Sequence, residues 1–409
     1  MSTTTTGTAV PATAVTETAV TETSVPRTAD AILARARELR PLLRENSARI
    51  EEHRRLPEDI VALLRGAGVF RAAMPRDWGG PELTSMEQTR LIETIAYGDV
   101  SAAWCSMIGM DSGIYSGFLD QDVARRLYPS LDLAQSGWIY PQGRAERVEG
   151  GYLVSGRWRF GSGSTHCDVL AAGCTVHENG EPVIDPATGK GLWRVMLAPP
   201  RSYESIDTWH TTGLAGSGSV DYEVRDLFVP QEHSFSFAEP VRKGPLHDAP
   251  DAILRKMAGI PLGLGRAALD HVRELAAQRV DRETGTPWAR DVRVQQTVAE
   301  LEMELTAARA AVYTTLERQW TALERGAERG ADERVETALA RYHAFRTARR
   351  IVHRLFDLVG GASVYRRSSP MDRWLRDANT MCQHAVAQDS ILQLTGNVLL
   401  GGRSSSPFF

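Results

Sequence analysis

The chain has 409 residues, 42% hydrophobic and 24% charged, with 35 Gly and 20 Pro. This is ordinary globular composition, which excludes a mostly disordered, collagen-like or coiled-coil protein and leaves room for more than one domain. A formal net charge of −4 does not fit a nucleic-acid binder, and no run approaches the roughly 18 consecutive apolar residues of a membrane span.

Residues 1–27 are rich in Thr, Ala and Val. They have neither the basic start nor the apolar run of a secretory signal, and they read as a disordered tail. A helical domain follows over 28–130. Ile32, Leu39, Leu43 and Ile50 recur on one face, and Pro57 opens a second helix carrying Ile60, Val61, Leu63 and Leu64. Residues 74–80 are rich in turn formers, and Thr84 with Glu87 makes a capping box. A small-residue helix over 101–118 completes this domain.

Over 131–240 the period changes to two. Tyr152, Val154, Trp158 and Phe160 share one face of a strand, and Val220, Tyr222 and Val224 alternate with Asp221, Glu223 and Arg225. This predicts an all-β domain, a barrel or a sandwich. Over 241–409 the helical period returns, with long helices expected at 252–280, 290–325, 332–358 and 370–400. Their length favours a four-helix bundle packed against other subunits.

Local motifs are ambiguous by themselves. Gly263-Leu264-Gly265-Arg266-Ala267-Ala268 fits a nucleotide-loop pattern, but no strand precedes it, so close helix packing is the better reading. The ten histidines form no helical metal pair. The run Gly161 to His166 is either a plain hairpin loop or a donor set for a polar ring or phosphate. Arg376, Thr380 and His384 share one side of the last long helix, where a solitary histidine can be structural or catalytic. Only Lys190, Lys243 and Lys256 are lysines among 47 basic residues, so any single arginine is weak evidence. Cys105, Cys167, Cys174 and Cys382 are scattered, which points to a reduced, cytoplasmic chain.

Four segments together resemble the acyl-CoA dehydrogenase superfamily: FRAAMPRDWGGPELT, GGYLVSGRWRFGSGSTHCD, DTWHTTGLAGSGSVDYEVRDLFVP and GGASVYRRSSPMDRWLRDA. The resemblance implies a mainly α fold with a central β domain: an N-terminal helical domain, a β-barrel and a C-terminal four-helix bundle, assembled as a homotetramer that holds flavin. A dehydrogenase of this family needs a glutamate at one of two positions, and those align with Ala385 and Ile253 here. The chain therefore looks like the other branch, the oxygenase components of two-component flavin monooxygenases such as dibenzothiophene monooxygenase and p-hydroxyphenylacetate hydroxylase. These take reduced flavin from a separate NAD(P)H-dependent reductase and use O2, through a C4a-hydroperoxide, to hydroxylate an aromatic or polycyclic small molecule.

The resemblance implies that Phe160 lies against the flavin ring, that Ser162 bonds near N5 and that His384 stands over the reacting face, either donating to oxygen or taking a substrate proton. Gly163 and Ser164 join them as cofactor-binding residues, with Arg282, Arg290 and Arg373 as phosphate partners. Gly285 stands where the dehydrogenases place a pyrophosphate arginine, which favours FMN over FAD. Trp104, Met107, Met110, Asp111, Tyr115 and Trp138 are the expected pocket walls. Phe408 and Phe409 either tuck against a neighbouring subunit or fray. The rival readings are an N-oxygenase of an amine or amino sugar, a dehydrogenase with a relocated base, and a non-catalytic flavin-binding tetramer.

Overall fold

The Thr28 hydroxyl accepts the Ala31 N–H at 3.3 Å, and this N-cap starts α1 (Ala29–His53). The computed structural model describes residues 25–186, 188–281, 283–326, 331–403, 406 and 408. The expected tail, 1–27, thus lies outside the described residues except for its last three. Of these, Val25 and Pro26 offer their carbonyls to Arg71.

The N-terminal domain continues with α2 (Glu58–Gly66) and α3 (Ser85–Gly98), whose capping box is formed by Thr84 and Glu87 as expected. The helix expected over 101–118 is instead three pieces: α4 (Val100–Gly109), α5 (Asp111–Tyr115) and a 3-10 turn at Ser116–Phe118. Its glycines allow a close approach to the preceding loop. A Cβ on Gly113 would lie 2.2 Å from the Ala73 carbonyl carbon, and one on Gly109 would lie 2.5 Å from the Phe70 ring. A short α6 (Gln121–Leu127) leads into the sheet.

Strands β1 (Gln135–Val148), β2 (Gly151–Gly161), β3 (Val169–Glu178), β4 (Glu181–Pro182), β5 (Trp193–Ala198), β6 (Glu204–Ile206), β7 (Val220–Pro230) and β8 (Ser234–Phe235) form one sheet. The order is β6-β7-β2-β1-β3-β5-β8, with β4 on β3, and only the β1–β3 pairing is parallel. The barrel expected from the resemblance is not closed by hydrogen bonds among the described residues, since β6 and β8 end the path. Successive residues point to opposite faces, and along β3 and β5 both faces are buried. Leu170, Ala172, Met196 and Ala198 pack with Trp158 and Tyr222 on one face, while Val169, Ala171, Val195 and Leu197 meet Tyr115 and Phe118 on the other.

The C-terminal region holds α7 (Ala252–Arg255), α8 (Gly259–Gln278), α9 (Val292–Glu324), α10 (Ala331–Val359), α11 (Met371–Met381) and α12 (Ser390–Leu399). One continuous core joins α1, α3 and α4 to α8, α9, α10 and α11. The helix expected over 370–400 is broken between α11 and α12. Gln388 Nε2 donates to the Cys382 carbonyl at 2.7 Å, satisfying an acceptor that the break releases. None of the described helices is long and apolar enough to cross a membrane.

Candidate active site

A cavity of about 400 Å3 opens where the helical domain, the sheet and the bundle meet. Trp104, Asp111, Tyr115, Trp138, Phe160, Ser162 and His384 all line it, as the sequence led us to expect. Met107 and Met110 do not, which corrects that expectation. Both are fully buried in the main core, while Trp104 and Ile108 of α4 line the cavity.

The strand β2 carries a bulge against β7 between Trp158 and Gly161. It puts Phe160 at φ +61°, a backbone conformation that bulky residues seldom adopt. The ring is left half exposed, 5.7 Å from Trp138 and 6.3 Å from Trp209 between centroids. Across the sheet, β1 is irregular between Trp138 and Gly143. There the Trp138 backbone N–H donates to the Tyr222 hydroxyl at 2.7 Å, which itself donates to the Ala171 carbonyl. The Trp138 indole N–H is buried and has no partner among the described residues.

Ser162 Oγ accepts the Trp104 indole N–H at 3.1 Å and shares a hydrogen bond with Ser219 Oγ at 2.7 Å. Ser219 Oγ is in turn 2.7 Å from Ser217 Oγ, giving a buried chain of three hydroxyls. Gly163 and Ser164 do not line the cavity, contrary to expectation. The Gly163 N–H is already given to the Ser217 carbonyl at 3.0 Å, and the Ser164 N–H to the Gly161 carbonyl at 2.9 Å. The loop holds itself together and presents Ser162 alone.

His384 stands in the break after α11, not on a helix, so its expected alignment with Arg376 and Thr380 on one helical side does not hold. Its Nδ1 accepts the Val386 N–H at 3.4 Å, which leaves the proton on Nε2. The ring meets Trp104 edge to face, with centroids 5.5 Å apart at 72°. Burial, then the Arg341 guanidinium, lower its pKa to about 4, so the imidazole is neutral at physiological pH.

Of the three arginines expected at a phosphate, Arg282 lies outside the described residues. Arg290 is exposed at the end of a 3-10 turn, Trp288–Arg290, and Arg373 faces the buried Asp99 and Asp377; neither lines the cavity. The surface of Phe160, Trp138 and Trp209, with an unpartnered indole N–H and the Ser162 hydroxyl beside it, fits a flat heteroaromatic ring such as the isoalloxazine. Ala385 and Ile253, where the resemblance leads one to expect a dehydrogenase glutamate, both line the cavity.

Several lining residues escaped the sequence reading, among them Trp209, Leu254, Met257, Gln383 and Phe408. Trp209 and the bundle residues carried no local motif, and only their place in the fold reveals them. Phe408 packs against Tyr140, Trp193 and Phe237 of its own chain, and Phe409 lies outside the described residues. Among the described residues no cluster of metal-ligating side chains occurs.

Comparison with known proteins agrees with this geometry. Residues 29–121 match the acyl-CoA dehydrogenase N-terminal domain and residues 256–389 the acyl-CoA dehydrogenase C-terminal domain. The chain is 30% identical over 348 residues to the indole-3-acetate monooxygenase of Acinetobacter baumannii, covering 84% of this chain and 87% of that one. It is 32% identical over 361 residues to the indole-3-acetate monooxygenase of Pseudomonas putida, covering 86% and 89%. In structure it resembles the HsaA monooxygenase of Mycobacterium tuberculosis, with a TM-score of 0.84 at 24% identity over 93% of this chain and 100% of that one. TdsC of Paenibacillus, in a complex with FMN and indole, gives a TM-score of 0.80 at 20% identity over 92% and 99%.

Proposed function

The chain belongs to the acyl-CoA dehydrogenase family, among the oxygenase components of flavin-dependent monooxygenases, and we propose that it hydroxylates a flat aromatic small molecule held in this cavity. The observation that carries the reading is the cavity's lining: an aromatic wall, the Trp104–Ser162 hydrogen bond, and apolar Ala385 and Ile253, where the resemblance would have a dehydrogenase base. Reduced flavin, with FMN and then FAD as candidates, would supply the two electrons that let O2 give one oxygen atom to substrate and the other to water. Relatives named as an oxygenase subunit and an oxygenase component support a separate NAD(P)H-dependent reductase as the source of that flavin.

The chain's own residues then have distinct tasks. Phe160, Trp138 and Trp209 hold the flavin ring by apolar contact, and Ser162 bonds its polar edge with an oxygen that Trp104 keeps in place. The neutral His384 offers its Nε2–H as a fixed donor to oxygen; with Nδ1 engaged by Val386, it is a donor and not a base. Leu254, Met257, Ile391 and Phe408 keep water from the reacting atoms. The apolar lining favours an aromatic ring over an amino sugar. Among the described lining residues the one carboxylate, Asp111, is ion-paired with Lys256, which disfavours it as a relocated dehydrogenase base.

The exposed Val292 and Met303 on α9 and Leu392 and Leu399 on α12 supply apolar surface for a homotetramer. Four free, buried thiols suit the reducing cytoplasm. The deciding experiment mixes protein and reduced FMN, without oxygen, with oxygenated buffer. Oxygen uptake should precede the return of oxidised-flavin absorbance, and Ser162→Ala should shorten that delay. Reoxidation as fast as that of free flavin, for both FMN and FAD, would sink the reading.

A further inference from the structure

Among the described residues that line the cavity, Asp111 alone carries a full charge, His384 being neutral. The Lys256 ammonium donates to Asp111 Oδ1 at 2.5 Å and to the Ile253 carbonyl at 3.1 Å, and both side chains are closed off from bulk water. No group among the described residues bonds the second carboxylate oxygen, Oδ2.

An ion pair in such a place is costly to keep. Two apolar side chains of similar volume would often give equal or greater stability. What the pair supplies is a fixed acceptor: Lys256 keeps Asp111 ionised and immobile, and one oxygen remains open towards the cavity. An acceptor left unpaired in a buried site costs free energy, and a ligand N–H or O–H recovers it. Among the described residues no cation lines the cavity: the Lys256 ammonium is spent on Asp111 and on a carbonyl, and Arg341, which after burial lowers the His384 pKa, lies outside the lining. Tyr115, one helical turn from Asp111, is held neutral by burial and by that carboxylate.

We propose that Asp111 Oδ2 recognises an N–H or O–H group on the aromatic substrate, so that the pocket takes an uncharged donor-bearing ring, an indole or a phenol, and rejects an aryl carboxylate. This rests on the reading of the cavity as an aromatic substrate site. It makes Asp111 a specificity-determining residue and Lys256 its positioning residue. It also sets this chain apart from relatives whose names specify indole-3-acetate.

The test is calorimetric titration of the full chain at pH 8, with and without oxidised FMN, using indole, 1-methylindole and indole-3-acetate. Burial raises the Asp111 pKa only to about 6, so the carboxylate is ionised there. Indole should bind about tenfold more tightly than either analogue, the margin expected when a buried acceptor loses its donor. In the Asp111→Leu/Lys256→Met double variant, checked for folding by circular dichroism, 1-methylindole should come within about twofold of indole. Equal binding of indole and 1-methylindole by the wild type, tighter binding of indole-3-acetate, or no measurable binding overturns the proposal. So does an undiminished preference for indole in the folded double variant. If that variant does not fold, the wild-type ratios decide. Because no turnover is read, these ratios stand or fall separately from the flavin experiment.

Discussion

The Trp104 indole donates to Ser162 Oγ at 3.1 Å while the same ring meets His384 edge to face, so one side chain sets two of the residues proposed to act on flavin and oxygen. Trp104→Phe keeps an aromatic edge for His384 and removes only the N–H. The loss of one buried hydrogen bond should cost about 1 kcal/mol in denaturant unfolding. The larger effect should be on coupling, with hydrogen peroxide released per reduced flavin rising about threefold or more as Ser162 loses its fixed geometry. An unchanged peroxide yield would separate Trp104 from the proposed flavin site.

His384, His166 and His247 are each pushed to a pKa of about 4, mainly by burial. The unfolded chain takes up protons as the pH falls below about 6.5, and the folded chain does not until about 4. The stability held by keeping them neutral is therefore complete above pH 6.5 and is lost as the pH falls through that window. Melting temperatures recorded from pH 8 to 4 should fall in the acid half, and less steeply for His384→Asn. Between pH 6.5 and 8 that variant should lower turnover about tenfold or more without changing the shape of the pH profile, because the residue does not titrate there.

Asp377 Oδ1 accepts the Leu214 N–H at 2.7 Å and ties α11 to the turn before β7. Burial raises its pKa to about 7, so the cost of ionising it grows as the pH rises from about 4 to 7. Asp377→Asn keeps an acceptor and carries no charge, and it should match or exceed the wild type in stability at pH 8. Asp377→Ala strands a buried donor and should lose about 1–3 kcal/mol in urea unfolding.

How much of this could be read beforehand depended on whether a residue announced itself locally. The change from helical to two-residue period pointed to strands between two helical stretches, and the Phe160–Ser162 segment carried its motif on a strand end, so both were legible. The break at His384 was not. It contains no Gly or Pro, and its caps are side chains of Gln388 and His384 itself, whose effect depends on the carbonyl and amide they happen to face. Met107 and Met110 were misassigned because a stripe of large apolar residues looks the same whether it borders a core or a cavity. Lys256 was noted only as one of three lysines. Its importance lies in Asp111, 145 positions away in sequence.

Phe408 lines the cavity and packs edge to face on Tyr140 and Phe237. Phe408→Ala should lower the melting temperature, because it removes a buried ring packed against Tyr140, Trp193 and Phe237. It should raise the substrate KM about fivefold and increase peroxide leakage as water enters. Steady-state kinetics with a peroxide assay would show both, and unaltered values would place Phe408 outside the working site.

The buried row of Ser162, Ser219 and Ser217 has no built-in polarity, since either oxygen of each pair can be the donor. With the protons pointing one way, Ser162 has a hydrogen to give to a third partner. With all of them reversed it has a lone pair to offer, while Trp104 continues to hold the oxygen where it is. Rotating three hydroxyls interconverts the two arrangements without moving a heavy atom. A ring edge that accepts a hydrogen bond at one stage of turnover and donates one at another can thus be held throughout by the same serine.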